Sequence, residues 1–295
     1  MKDRVKVLLS TYNGEEYLKS QLDSLYNQED VEIKIFARDD HSTDNTIEIL
    51  KSYHINYYIG SNLGAKNSFF DLIQNCTLDE EYYAFCDQDD IWKRNKLKMA
   101  INKLKEIKNK PGIYFCEREI LIDNRVNSIT AMNELLEYQC LFFKSVAAGC
   151  TIVINKELML LLKQYKPKYV AMHDSWMMLL ASVFGEIKYD SEPYMYYRIH
   201  QNNVIGLINK KGRVIECCKR IFLKNTYTRI NVSIDLLEGY EKELMNNKEV
   251  YDFILMLCHL DKIYNKLKLV FYPKKYSKYY KDDIAIRLQI ILGKI

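Results

Sequence analysis

From Val5 to about residue 116, apolar runs alternate with amphipathic stretches in a regular rhythm. Residues 5–10 form an apolar run of strand length. Residues 15–27 follow with Tyr17, Leu18, Leu22, Leu25 and Tyr26 at helical spacing. Residues 32–37 alternate polar and apolar as a strand does, and Ser42 or Thr43 can cap a helix over 44–53. Residues 55–59 and 82–86 predict a third and a fourth strand. Residues 65–74 and 92–107 predict two more helices, the second with a Lys-rich outer face. This order predicts an α/β fold, a parallel sheet covered on both faces. The middle section is mixed: 113–122 and 148–154 read as strands, 156–165 and 174–184 as helices, and 187–198 as a last irregular strand region. From Gly206 onward the pattern is helical with no strand alternation. A boundary there divides the chain into a domain over 1–206 and a helical region over 207–295.

Ligands of such sheets bind beyond the carboxyl ends of the strands, and the polar clusters of this chain fall there. Thr11-Tyr12-Asn13 follows the first strand, Asp39-Asp40 the second, and Asp87-Gln88-Asp89-Asp90 the fourth. Three carboxylates within four positions are costly to keep ionised unless a cation sits among them. Mg²⁺ and Mn²⁺ take oxygen ligands, and Mg²⁺ is commonly shared between carboxylates and substrate phosphates. Asp87 and Asp89 therefore suit a metal–diphosphate site, although an acidic loop capping the next helix has the same composition. Thr11, Tyr12 and Asn13 offer hydroxyl, aromatic and amide groups to a nucleobase or ribose; Asn13 or Thr11 would equally cap a helix. Asp40 would accept a base N–H or serve as a turn residue. Neither Gly-x-Gly-x-x-Gly nor Gly-x-x-x-x-Gly-Lys-Ser/Thr follows the first strand, which disfavours dinucleotide and P-loop readings.

Composition narrows the picture further. Four prolines and ten glycines in 295 residues, with 48% hydrophobic residues, describe a globular chain without long disordered tracts. No apolar run approaches bilayer length, and no signal-like segment precedes Val5. Eight cysteines lack metal-ligand spacing and read as reduced thiols of a cytoplasmic protein. A net charge of +4 suggests no nucleic-acid partner. Basic residues do concentrate between 210 and 229, at Lys210, Lys211, Arg213, Lys219, Arg220, Lys224 and Arg229, among Val214, Ile215, Ile221, Phe222 and Leu223. That stretch is either a peripheral contact with an anionic membrane surface or a packed helix with a solvated basic face.

Leu9-Ser10-Thr11-Tyr12-Asn13-Gly14-Glu15, Arg38-Asp39-Asp40-His41-Ser42-Thr43-Asp44, Asn62-Leu63-Gly64 with Asn67, and Asp87-Gln88-Asp89-Asp90-Ile91-Trp92 occur in this order. Together they resemble the family 2 inverting glycosyltransferases of GT-A fold, particularly their bacterial rhamnosyltransferase-like branch. Ala148-Gly149-Cys150-Thr151, His173-Asp174-Ser175-Trp176 and Tyr197-Arg198-Ile199-His200-Gln201-Asn202-Asn203 look like that branch's acceptor-side motifs, so the resemblance covers about residues 5–206. It implies Rossmann-like, mostly parallel sheet architecture and transfer of a sugar from a nucleoside diphosphate to a glycan or lipid-linked glycan. dTDP-rhamnose leads as donor; a UDP-hexose or UDP-N-acetylhexosamine is the alternative. It also implies Asp174 as catalytic base, Asp89 as ligand of Mn²⁺ or Mg²⁺, and Asp87 at the ribose or metal shell. His200 would support the metal or diphosphate, and Asn67 with Thr11, Tyr12, Asn13 and Asp40 would line the donor pocket. The other reading of Asp174 is a helix N-terminal carboxylate. Trp92 is expected in the core and Trp176 as either core or sugar platform. His41 stands where the family commonly has Gly, and Glu117-Arg118-Glu119 where relatives carry an Asp, with no role assigned. A nucleotidyltransferase would need a basic Gly-rich loop after the first strand, and a non-catalytic binding module would have no use for a base.

Overall fold

The computed structural model describes residues 2–200 and 229–295. The 206/207 boundary, Gln201-Asn202-Asn203 and all of the basic stretch before Arg229 lie outside the described residues. Strands β1 (Asp3–Thr11), β2 (Val31–Asp39), β3 (Asn56–Ile59) and β4 (Tyr82–Cys86) are joined through helices α1 (Leu18–Tyr26), α2 (Thr46–Ser52) and α3 (Gly64–Asn75). There follow β5 (Ile91–Trp92), α4 (Lys96–Leu104), β6 (Gly112–Ile122), β7 (Arg125–Ile129), α5 (Tyr138–Leu141), β8 (Val153–Asn155), α6 (Lys156–Gln164), α7 (His173–Phe184) and β9 (Glu186–Arg198). The sheet order is β3-β2-β1-β4-β8-β6-β9-β5, with β7 paired to β6. The first four strands are mutually parallel, as expected. In the second half β9 runs parallel to β6, while β8 runs antiparallel to both β4 and β6 and β5 antiparallel to β9, which leaves the sheet mostly parallel as expected.

Alternation along the strands builds two cores. Leu8, Tyr83, Phe85, Ile113, Phe115 and Ile154 face one side, whereas Val7, Leu9, Ala84, Cys86, Tyr114 and Val153 face the other. α1, α2 and α4 cover the second face; α3, α6 and α7 cover the first. The first core is extended by helices Arg229–Leu244, Lys248–Cys258, Ile263–Val270 and Tyr280–Leu292, which bring Leu236, Tyr240, Phe253, Ile254 and Ile290 into it. Buried Asp235 seals the joint, accepting hydrogen bonds from the Tyr165 hydroxyl (2.9 Å) and the Lys168 (3.0 Å) and Tyr169 (2.7 Å) amides.

Three local expectations change. The helix expected from Trp92 starts at Lys96, because Ile91–Trp92 is drawn into strand pairing with Tyr196 and Met195 of β9. The strand expected over 148–154 opens as a 3₁₀ turn, Gly149–Thr151, before β8. Gly149 is required there by close approach: a Cβ would lie 2.4 Å from His173 Nε2. Trp176 is fully buried beside Tyr240 (centroids 6.1 Å apart) and is core, not a sugar platform. Trp92 is core as expected. None of Thr11, Asn13, Ser42 or Thr43 caps a helix, since the cap positions of α1 and α2 are Tyr17 and Asn45, neither of which makes a side-chain capping bond.

Candidate active site

The carboxyl ends of β1, β2 and β4 meet the 3₁₀ turn, the start of α7 and the end of β9 in one place. At the ends of β1 and β2, Asp39 organises the turn: its carboxylate accepts hydrogen bonds from the Thr11 hydroxyl (2.8 Å) and from the Ser42 hydroxyl and amide (2.6 and 2.7 Å). His41 holds φ +69°, so the turn survives its replacement of glycine in the left-handed region. Asn13, also at positive φ, accepts the Thr43 amide hydrogen through Oδ1 at 2.8 Å and so ties the first loop to the second. Asp40 accepts from Arg38 (2.5 Å) and from the Leu63 and Gly64 amides (both 2.8 Å). Burial opposes its ionisation, but those three donors outweigh it and hold the carboxyl below its usual value. Tyr12 remains about half exposed, and its backbone is held in both directions by the Gln88 side chain (2.7 and 2.9 Å). Asn67, in the first turns of α3, donates to the Leu63 carbonyl at 3.2 Å.

On the acidic side, the loop after β4 concentrates charge. Burial, then Asp89 and Asp174, push the Asp87 carboxyl above its usual range. Burial, then Asp89 and Asp87, do the same to Asp90, which is fully buried. His200 Nε2 stands 2.8 Å from Asp89 Oδ2, with its ring packed on Tyr17 (centroids 4.8 Å apart). Arg198 braces the loop from β9: its Nε donates to the Asp89 carbonyl at 3.0 Å, and its backbone N–H to Asp90 Oδ1 at 3.3 Å. Asp174 lies in the first turn of α7, buried, and accepts from the Ser175 amide at 2.5 Å. Burial raises its pKa, partly offset by Ser175, Gly149 and Arg118. The neighbouring His173 is buried against Phe69 (4.1 Å), and burial lowers its pKa to about 3.

These distances bring Asp89 and His200 together and set Asp87 within electrostatic reach of both Asp89 and Asp174. Thr11, Asn13 and Asp40 spend much of their bonding capacity on the loop itself. Two features were not assigned from sequence. Glu117 is structural, accepting from the Tyr189 hydroxyl (2.6 Å), Thr130 and the Met132 amide, and Glu119 pairs with Lys93 at 2.7 Å. Arg118 points the other way, its guanidinium 4.5 Å from the centroid of Tyr197 and near enough to favour ionised Asp87 and Asp174. The period of two along a strand separates Arg118 from its acidic neighbours and was the available signal. The second feature is Cys150, one of whose ligand-atom partners comes from Asp87 and one from Asp90, all within 4.8 Å of one another.

The sequence family described as "Glycosyl transferase family 2" matches residues 6–159. A dTDP-rhamnosyl transferase, RfbG of Shigella flexneri, is 33% identical over 215 residues, covering 67% of this chain and 73% of that protein. Among solved structures, S. aureus TarS 1-349 in complex with UDP-GlcNAc superposes with a TM-score of 0.56 at 16% identity, over 99% of this chain and 82% of that one. The mannosyltransferase PcManGT from Pyrobaculum calidifontis, in complex with GDP-Man and Mn²⁺, gives 0.50 at 15% identity over 99% and 76%. At such identities these two likenesses speak for the fold, which is GT-A with a helical C-terminal part.

Proposed function

Because the chain belongs to glycosyl transferase family 2, we propose that it moves a sugar, with inversion, from a nucleoside diphosphate donor to a hydroxyl of a cell-surface glycan. The observation that carries this reading is the Asp89–His200 pair at 2.8 Å, beside Asp87, whose carboxyl feels the charges of both Asp89 and Asp174. The donor set fits a divalent cation: Asp89 and His200 supply oxygen and imidazole nitrogen, and the like charges of Asp87, Asp89 and Asp90 favour a cation among them. When bound, Mn²⁺ or Mg²⁺ would neutralise charge on the leaving diphosphate. Asp174 accepts the acceptor's hydroxyl proton while that oxygen attacks the anomeric carbon from the face opposite the phosphate. The new C–O bond forms as the sugar–phosphate bond breaks, and the electron pair leaves with the diphosphate. A carboxyl with a raised pKa is the better proton acceptor, which suits Asp174 to that role. Tyr12 would stack on the base, with Thr11, Asn13, Asp40 and Asn67 framing the nucleoside.

dTDP-rhamnose is the leading donor, supported by the rhamnosyl transferase relative; UDP-GlcNAc in the TarS complex supports a UDP-sugar as the second reading. Hydrolysis or transfer screened across dTDP-rhamnose, UDP-glucose, UDP-GlcNAc and GDP-mannose decides between them, and inertness toward all four would overturn the assignment. The domain division at 206/207 and a cytoplasmic, membrane-peripheral location through 210–229 belong to this proposal. No helix of the described residues is long and apolar enough to cross a membrane.

A further inference from the structure

The Gly149–Thr151 turn sets the buried thiol of Cys150, which the proposed transfer does not use, among the acidic groups of the loop after β4. One ligand atom each from Asp87, Asp90 and Cys150 lies within 4.8 Å of the others. Asp90 is 0% exposed and its Oδ2 has no hydrogen-bond partner, an expensive condition for a buried carboxyl oxygen. Zn–S bonds of about 2.3 Å and Zn–O bonds of about 2.0–2.2 Å place neighbouring ligand atoms of a tetrahedral ion about 3.3–3.8 Å apart. The three groups are therefore within a small side-chain adjustment of such a shell. Two carboxylate oxygens and a sulfur suit Zn²⁺ or Cd²⁺ and are a poor set for Mg²⁺. Asp87 is half-buried and gives the ion a way in. Burial, then the carboxyls of Asp90 and Asp87, hold the Cys150 thiol well above its usual pKa, and Arg118 offsets them only in part.

We propose that Asp87, Asp90 and Cys150 form a second cation site, selective for a thiophilic divalent ion such as Zn²⁺, which adjoins the Asp89–His200 pair and shares Asp87 with it. Binding breaks the S–H bond, releases its proton to solvent and forms a sulfur–metal bond. Since Asp87 would belong to both sites, Zn²⁺ withdraws it from the donor and inhibits transfer; only this inhibitory consequence rests on the proposed function. Cd²⁺ is the probe, titrated into the full chain while the ultraviolet thiolate-to-cadmium charge-transfer band is recorded. The expected result is a saturable band that Zn²⁺ abolishes and Mg²⁺ does not. Cys150→Ser removes it, and Asp90→Asn weakens Cd²⁺ binding at least about tenfold. No band in the wild type, an unchanged band in Cys150→Ser, or equal competition by Mg²⁺ would overturn the site. If Cys150→Ser fails to fold by circular dichroism, Asp90→Asn carries the test, and undiminished Cd²⁺ binding there overturns it. Donor hydrolysis unaffected by saturating Zn²⁺ overturns the inhibition alone, while a chain inert toward every donor but retaining the band refutes the transferase reading and leaves the site standing.

Discussion

Asp174 and His173 are adjacent, both buried at the start of α7, and burial acts on them in opposite senses. For the acid, burial favours the protonated form; for the imidazole, the neutral one. Asp174→Asn keeps the shape and removes the proposed proton acceptor. It is expected to leave nucleoside diphosphate binding intact by calorimetry while turnover drops about 10²–10⁴-fold; normal turnover would return Asp174 to helix stabilisation alone. His173 yields a stability prediction. Its folded pKa of about 3 lies below the unfolded value of about 6.5, so the unfolded chain takes up the proton first as pH falls. The stability this group allows is complete above about pH 6.5 and declines toward pH 3, by about 2 kcal/mol at pH 5. His173→Leu should flatten the pH dependence of the denaturation midpoint between pH 7.5 and 5 by that amount, and an unaltered dependence would show that the ring is accessible to protons. The start of α7 was legible in part: the helix was expected from Asp174, but only packing shows that Trp176 lies in the core against Tyr240.

Elements with strong periodicity were readable from sequence and those made by tertiary pairing were not. β4 lies at residues 82–86 as expected, and α6 and α7 differ from expectation by one residue at an end. β5 could not be seen, because two residues carry no period and Ile91–Trp92 is a strand only by virtue of β9. β7 was missed although Asp123 and Asn124, both at positive φ, make a two-residue hairpin turn whose composition was a usable signal. The short helix α5 was likewise unannounced. The junction of α7 with β9 joins the elements that carry Asp174 and the approach to His200, and it depends on Gly185. A Cβ there would lie 1.8 Å from the Pro111 carbonyl oxygen, the same oxygen that accepts the Glu186 amide hydrogen at 2.9 Å. Backbone cannot yield as a side-chain tip can, so Gly185→Ala is expected to lower stability by about 1–3 kcal/mol or more. Denaturant titration checks this, and a midpoint equal to wild type would mean that the edge of the sheet is looser than described.

For the molecule as a whole, the placement of the loops after β1, β2 and β4 was the more legible, since these strands follow one another in a parallel array. Arg118 lies in β6 and Cys150 in the 3₁₀ turn before β8, two strands that enter the sheet out of sequence order, so only the assembled fold brings them to Asp87. The C-terminal helices share one core with the sheet, which makes them part of the scaffold that carries the site. Whether residues 210–229 also meet a membrane is decided by vesicle co-sedimentation. The proposal expects binding to anionic but not neutral vesicles, with attraction of about 1 kcal/mol per basic residue near the surface. That binding should vanish at 1 M salt, where the screening length is about 3 Å, and Lys219, Arg220 and Lys224 changed together to Gln should weaken it; equal recovery with both lipids would contradict it. The central claim, that Asp87, Asp89 and His200 build a metal-assisted donor site, is tested most directly by nucleotide-sugar turnover with Mn²⁺, with EDTA, and in Asp89→Ala. The account predicts activity with Mn²⁺, its loss in EDTA, and at least about a 10²-fold lower rate in a folded Asp89→Ala protein. Full activity in EDTA, or a folded Asp89→Ala protein turning over at the wild-type rate, would contradict it.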